Sequence, residues 1–215
     1  MKLKKIDILL LVLSVLSLIG HLFLVPQMPE TVPIHWNTAG EADGYAGRLT
    51  TGFLAALPLL LHGLFLLLPR LDPRGKNYEK HQKAYDVFRI FFTLFFIAVV
   101  WVSNAAIMGY PVSINQFIPI GLGILFLIMG NYMPQIRSNY TFGIKTPWAL
   151  ESPYVWKKTH AAGGVVFCIY GVVMIAAGIF PESWISSILA VILIAGVIGL
   201  YLYSWLIYKK EQKYQ

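Results

Sequence analysis

The chain has 215 residues, of which 57% are apolar and only 13% charged. A soluble domain carries roughly 25% charged residues, so this composition, with a mean hydropathy of +0.65, excludes an ordinary soluble enzyme and makes lipid the solvent. The net charge of +7 raises the question of nucleic acid, and the single cysteine, Cys168, excludes an intrachain disulfide and a cysteine metal cluster.

A helix crosses the hydrocarbon core in about 20 residues. Six apolar segments meet that length, at Ile6–Val25, Gly52–Leu68, Phe88–Met108, Ser113–Met129, Gly163–Phe180 and Trp184–Tyr208. They do not alternate as the strands of an outer-membrane barrel would. The expected fold is therefore all-α and polytopic, with six transmembrane helices. The basic start of the chain (Lys2, Lys4, Lys5) resembles a signal peptide, but its apolar run is long and no cleavage site follows, so it reads as a retained first span. With the N-terminus placed in the cytoplasm, every Lys and Arg except Arg48 falls on the inner side. By the positive-inside rule both termini are expected to be cytoplasmic. Charge spread over lipid-facing loops in this way excludes direct nucleic-acid binding.

The first outer loop, residues 26–51, is rich in Pro, Gly, Asp and Asn. Pro29 and Pro33 stiffen it and Gly40 and Gly44 open backbone angles closed to other residues, so a compact loop is expected. His35, Glu41 and Asp43 lack a paired metal-ligand spacing. The reading preferred is that His35 and Trp36 pack the loop onto the membrane interface, with peptide recognition next and no metal assigned. The first inner loop, residues 69–87, should carry a surface helix from Tyr78 into the third span. The segment Gly109–Val112 and the stretch Pro181–Ser183 read as tight turns. The second inner loop, residues 130–162, interleaves aromatic, basic and Gly/Pro residues without a hydrophobic period. Tyr132, Tyr140, Phe142 and Trp148 suit insertion among headgroups, with Arg137 and Lys145 on phosphates. The alternative is a folded platform for a protein partner. Ser152 and Pro153 should cap a short amphipathic helix on which Trp156 and His160 share a face.

Polar residues inside a bilayer are functional candidates by default. Here they are His62, Asn104 and Gln116, with Asn115 beside the last, while Asp7 and Asp86 lie near the inner ends beside Lys and Arg, and His21 reads as interfacial. No carboxylate is placed deep in a span, which counts against an ion-coupled transporter. His62 reads as a helix-to-helix hydrogen bond. Gly164, Cys168, Gly171 and Gly178 form a stripe of small residues suited to close packing within the bundle. His35 and His160 fall on opposite sides of the membrane, no same-side nucleophile, base and acid set exists, and neither an enzyme nor a cofactor is expected.

The two long loops carry a resemblance. Val32-Pro-Ile-His-Trp36 with Gly40 and Asp43-Gly-Tyr45 on one side, and Gly130-Asn-Tyr-Met-Pro134, Phe142-Gly-Ile-Lys-Thr-Pro-Trp148 and Val155-Trp-Lys-Lys-Thr-His160 on the other, resemble the two modules of the SdpI family of bacterial immunity and signalling membrane proteins. The resemblance implies a bacterial cytoplasmic membrane protein with an N-terminal module over 1–110 and a C-terminal one over 111–215. It implies immunity to a secreted peptide toxin, signalling to a cytoplasmic ArsR-like repressor, or both. On that basis Pro33, His35, Trp36, Gly40 and Asp43 are expected to face the peptide. Asn131, Pro134, Arg137, Gly143, Lys145, Pro147, Trp148, Trp156 and His160 are expected to serve the cytoplasmic partner. The alternative is a transporter or efflux protein for a small amphiphile, its path lined by His62, Asn104 and Gln116.

Overall fold

The computed structural model describes residues 3–37, 40–180 and 183–213, without the side chains of 183–187. Six helices are long and apolar enough to cross a membrane. They are α1 (Lys5–Leu24), α2 (Thr51–Leu71), α3 (Gln82–Ile107), α4 (Ile114–Tyr132), α6 (Pro153–Ile179) and α7 (Ser183–Gln212), with a five-residue helix α5 (Pro147–Glu151) before α6. The expected six-span α-helical fold is what forms, because apolar runs in hydrocarbon can satisfy their backbone only internally. The expected turn at Pro181–Ser183 falls almost wholly outside the described residues.

The loop between α1 and α2 is an antiparallel hairpin of β1 (Thr31–Trp36) and β2 (Ala42–Gly47). Thr31 pairs with Gly47 and Trp36 with Ala42, with the register broken on either side of His35. Pro33 has no N–H to give the ladder, and the irregularity follows it directly. Gly44 faces His35 so closely that a Cβ there would sit 2.9 Å from the His35 Cβ. The expected surface helix from Tyr78 is instead a tight 3-10 segment, Gly75–His81. Tyr78 and His81 are buried in it, so packing rather than amphipathicity sets its shape. Nor does Ser152 open a separate surface helix before the fifth span. Ser152 caps as expected, its hydroxyl accepting from the Val155 N–H, but the helix it opens runs unbroken to Ile179.

The small-residue stripe joins α6 to α4. A Cβ on Gly123 would lie 2.6 Å from the Gly171 carbonyl oxygen, and one on Gly130 would meet both the Gly164 carbonyl and the Cys168 sulfur. Only bare backbone lets the two helices approach this far, which is how helices associate where burial from water cannot drive them. At the end opposite the hairpin, Phe65, Tyr85, Phe88, Phe142 and Trp156 form the main core. Its rings meet edge to face, as Phe65–Phe88 (5.4 Å, 79°) and Tyr78–Tyr85 (4.9 Å, 88°) do, the geometry favoured by the ring quadrupole.

Candidate functional site

On the hairpin face, the strands lie over the helix ends. Arg48 fixes their base by donating to the Pro26 and Met28 carbonyls, and Val32 and Met28 pack on Ile107. Near the tip Gly40 has φ +83° and rests on Asn115, whose Cγ would be 2.8 Å from any Cβ placed there. The hairpin thus bridges from α1 and α2 to the start of α4. Beneath it lies a chamber of about 560 Å³ roofed by His35, Trp36 and Asn37 and walled by aliphatic side chains of α2, α3, α4, α6 and α7. A second chamber of about 320 Å³ adjoins it and shares Ile34, Trp36, Leu54 and Ser103 with the first.

His21 and Asn104 line the second chamber. His21, in the last turn of α1, is buried among the helices at 1% exposure. Its Nδ1 is 3.0 Å from the Asn104 Oδ1 and its Nε2 is 3.1 Å from the Thr51 hydroxyl. Burial follows because three helices each supply one polar group at the same depth.

Toward the opposite face, α1, α2 and α3 enclose a charged cluster. Asp7, His62, Arg89 and Thr93 all have 0% exposure. Arg89 Nη2 lies 2.6 Å from Asp7 Oδ1 and 2.8 Å from Asp86 Oδ1. Lys4 pairs with the same Asp86, and its backbone N–H donates to the other Asp7 oxygen. His62 Nδ1 is 3.0 Å from the Thr93 hydroxyl, the helix-to-helix bond expected of it. Asp7, in the first turn of α1 and beside Lys and Arg as expected, is a wholly enclosed carboxylate. An arginine inside an apolar run was the signal, since such a charge must find a partner within the protein.

Beyond that cluster the two long loops of this face clasp each other. Asp72 Oδ2 accepts from the Tyr140 N–H (2.8 Å), the Thr141 N–H (3.1 Å) and the Thr141 hydroxyl (3.1 Å). Arg74 donates to the Ser138 hydroxyl and the Leu150 carbonyl and lies 4.7 Å over the Tyr140 ring. Tyr78 bonds the Thr141 hydroxyl, Asn77 donates to the Ser138 carbonyl, and the Arg137 N–H donates to His81 Nδ1. Asn139, fully buried, accepts from the Thr141 and Phe142 N–H groups and donates to the Arg137 and Phe142 carbonyls. The segment is therefore a folded plug against residues 72–81 and not a headgroup-inserted strand, although Tyr140 stays exposed.

This network divides the residues expected to serve a partner. Trp156 donates to the Ile136 carbonyl and stacks on His160 at 4.0 Å. His160 Nε2 accepts from the Ile144 N–H, so Nδ1 carries the proton and donates to the Trp156 carbonyl. With both ring nitrogens occupied, His160 is a scaffold group. Gly143 has φ +112°, and a Cβ there would run into the His160 ring. Trp148 packs edge-on against Tyr201 at 4.9 Å, Pro147 opens α5 under the Thr146 cap, and Pro134 packs near Gly164. Asn131, Arg137 and Lys145 keep exposed side chains.

Across the membrane, His35 Nδ1 lies 2.5 Å from Asp43 Oδ1 on the exposed hairpin. Among the described residues no group of three or more His, Cys, Asp or Glu could hold a metal ion. His62, Asn104 and Gln116 do not share one site: the first belongs to the charged cluster, the second to the smaller chamber, and Gln116 is exposed at the start of α4.

A six-helix bundle with a roofed chamber at one end and a hydrogen-bonded clasp at the other is a multi-pass membrane protein. Residues 135–204, which hold most of the clasp segment and α6, match the SdpI/YfhL protein family, and residues 12–61, which hold the hairpin, match a domain of unknown function, DUF1648. The chain is 25% identical over 206 residues to the protein named immunity protein SdpI of Bacillus subtilis (strain 168), covering 96% of this chain and 97% of that one. Both matches agree with the resemblance that the two loop motifs carry. No solved structure matches.

Proposed function

We propose that this chain is a non-enzymatic immunity protein of the bacterial cytoplasmic membrane, with the hairpin outside and both termini and the clasp inside. The single observation that carries the reading is likeness to an immunity protein along nearly the whole length of both chains. The site fits it chemically. The hairpin offers Ile34, His35, Asp43 and Tyr45 as exposed apolar and polar contacts on a braced scaffold, which suits capture of a secreted peptide. On the other face Asn131, Arg137 and Lys145 remain exposed around a rigid clasp, which suits docking of a cytoplasmic repressor; the residues bound into the clasp then act by holding that surface.

The test is expression in a Bacillus subtilis strain deleted for the relative and scored for survival. Protection is expected from the native chain, and Arg137→Ala should keep protection while losing repressor recruitment. Failure to protect at normal membrane abundance sinks the immunity reading. Orientation is tested in a Cys168→Ala background with an impermeant thiol reagent. Tyr45→Cys should label in intact cells and Lys145→Cys only after lysis.

A further inference from the structure

We propose that the cleft between the end of α2 and the 3-10 segment Gly75–His81 binds the phosphate of an anionic phospholipid of the phosphatidylglycerol type, with one acyl chain lying along the exposed leucine face of α2. The inference does not depend on the immunity reading.

The length of α2 sets the depth of the cleft. The helix has 21 residues, about 31 Å at 1.5 Å per residue, which matches a hydrocarbon core about 30 Å thick. Arg70 and Leu71, its last two residues, therefore stand where hydrocarbon gives way to headgroups. The cleft opens at that level, with a volume of about 550 Å³ and Arg70, Asp72, Arg74 and Lys76 among its walls.

Hydrogen bonds hold its shape. The Arg74 N–H donates to Asp72 Oδ1 (2.7 Å) and the Gly75 N–H to the Asp72 carbonyl (2.9 Å). The turn closes so tightly that a Cβ on Gly75 would sit 2.3 Å from the Pro69 carbonyl oxygen. Arg70 and Lys76 are thereby carried on the two sides of one folded turn.

The charges of the lining do not balance. Arg74 is held by the Ser138 hydroxyl, the Leu150 carbonyl and the Tyr140 ring, and contributes a fixed positive charge. Asp72 is the one carboxylate of the lining. Its Oδ1 accepts from the Arg74 N–H and its Oδ2 from Tyr140 and Thr141. Arg70 and Lys76 keep exposed side chains, and among the described residues neither forms an ion pair. A phosphodiester brings the negative charge and the acceptor oxygens that two such cations attract. A headgroup with its own ammonium, as in phosphatidylcholine, would place that cation among Arg70, Arg74 and Lys76 with no carboxylate left to receive it.

An apolar track favours a lipid over a soluble anion. Leu60, Leu64, Leu67 and Leu71 of α2 are exposed, at spacings that place them on one face of the helix. Leu71 sits in sequence between the lining residues Arg70 and Asp72. A molecule with its phosphate in the cleft can lay a hydrocarbon chain on that face. A free phosphate has nothing to put there, and a peptide would bring unpaired backbone N–H and C=O groups into hydrocarbon.

The full chain would be reconstituted in nanodiscs of equal dioleoylphosphatidylcholine and dioleoylphosphatidylglycerol, transferred to detergent, and its retained lipid read by native mass spectrometry. One phosphatidylglycerol per chain is expected, in preference to phosphatidylcholine. A lysine or arginine near a membrane surface is worth about fivefold in attraction to anionic lipid. Arg70→Gln and Lys76→Gln should therefore each cut the preference about fivefold, and the double variant should abolish it. Both side chains are exposed, and the single variants serve should the double variant misfold. Lys209→Gln combined with Lys210→Gln removes the same charge at the corresponding end of α7 and should leave the preference unchanged. Equal retention of the two lipids by the native chain would overturn the proposal, as would an equal loss in the α7 variant, which marks diffuse attraction to a basic face. So would displacement of the lipid by inorganic phosphate, which marks a soluble-anion site, or a tightly held acidic peptide in protein taken directly from cells.

Discussion

The two ends of the bundle are built on opposite principles. At the clasp end, Asp72, Arg74, Asn77, Tyr78 and His81 from one loop interlock with residues 137–142 of another over a core of edge-to-face rings. At the hairpin end, α2 and α3 on one side and α4, α6 and α7 on the other stand apart around a chamber, bridged by a two-stranded roof. Polar side chains interlock across two loops at the first end, whereas the second is walled largely by aliphatic side chains. A membrane protein gains little from burying apolar side chains against lipid, so an unfilled space between helices is a place where something else packs. The contrast puts dense polar interlocking at the clasp end and open space at the hairpin end.

Substitutions can break that contrast, starting with the charged cluster below the clasp. Arg89→Leu leaves the buried Asp7 with the Lys4 N–H on Oδ2 and only His62, at 3.9 Å, near Oδ1, and removal of one partner of a buried pair costs about 3–5 kcal/mol. Thermal unfolding in detergent should show the largest loss of any substitution discussed; a small loss would mean that water reaches Asp7. Gly143→Ala forces a Cβ into the His160 ring from a backbone angle that L side chains avoid, and should cost about 2 kcal/mol or more. Because the hairpin shares no contact with that ring, hydrogen exchange in β1 and β2 should stay unchanged wherever the variant folds. Asp72→Ala strips the acceptor from three backbone N–H groups, those of Arg74, Tyr140 and Thr141, and from a hydroxyl, for about 2 kcal/mol. Hydrogen exchange should rise at Tyr140 and Thr141 and stay unchanged in β1 and β2. Trp36→Ala sits at the other pole of the comparison. It should shift stability by no more than about 0.5 kcal/mol yet lower survival in the protection assay at matched membrane abundance, and an equal fall in stability and protection would make Trp36 scaffold.

How legible each end was in the sequence follows the same line. The spans could be read because a bilayer imposes one length and one polarity on any helix that crosses it. Ser152 as a cap and the stripe from Gly164 to Gly178 could be read because capping and close approach act through neighbours a few residues apart. The compactness of the first outer loop was visible in its Pro and Gly, and the β-branched Thr31-Val32 and Ile34 were the overlooked signal for a strand. Asp72, Arg74 and Asn139 were not picked out, because each looks like an ordinary loop residue until its partner is known.

Hydropathy and charge distribution therefore determined, by themselves, that the chain is a six-helix membrane protein and which of its loops lie on the same side. Only the tertiary structure decided that Asp7 meets Arg89 across 82 positions and that Asp72 reaches Tyr140 across 68. It also decided that His160 is spent on holding Ile144, and that His21 meets Asn104 and Thr51 beside a chamber. The physical reason is range. Solvation by lipid acts on each residue independently and leaves its record along the chain, whereas pairing of buried polar groups depends on which helices become neighbours and is recorded in no single stretch of it.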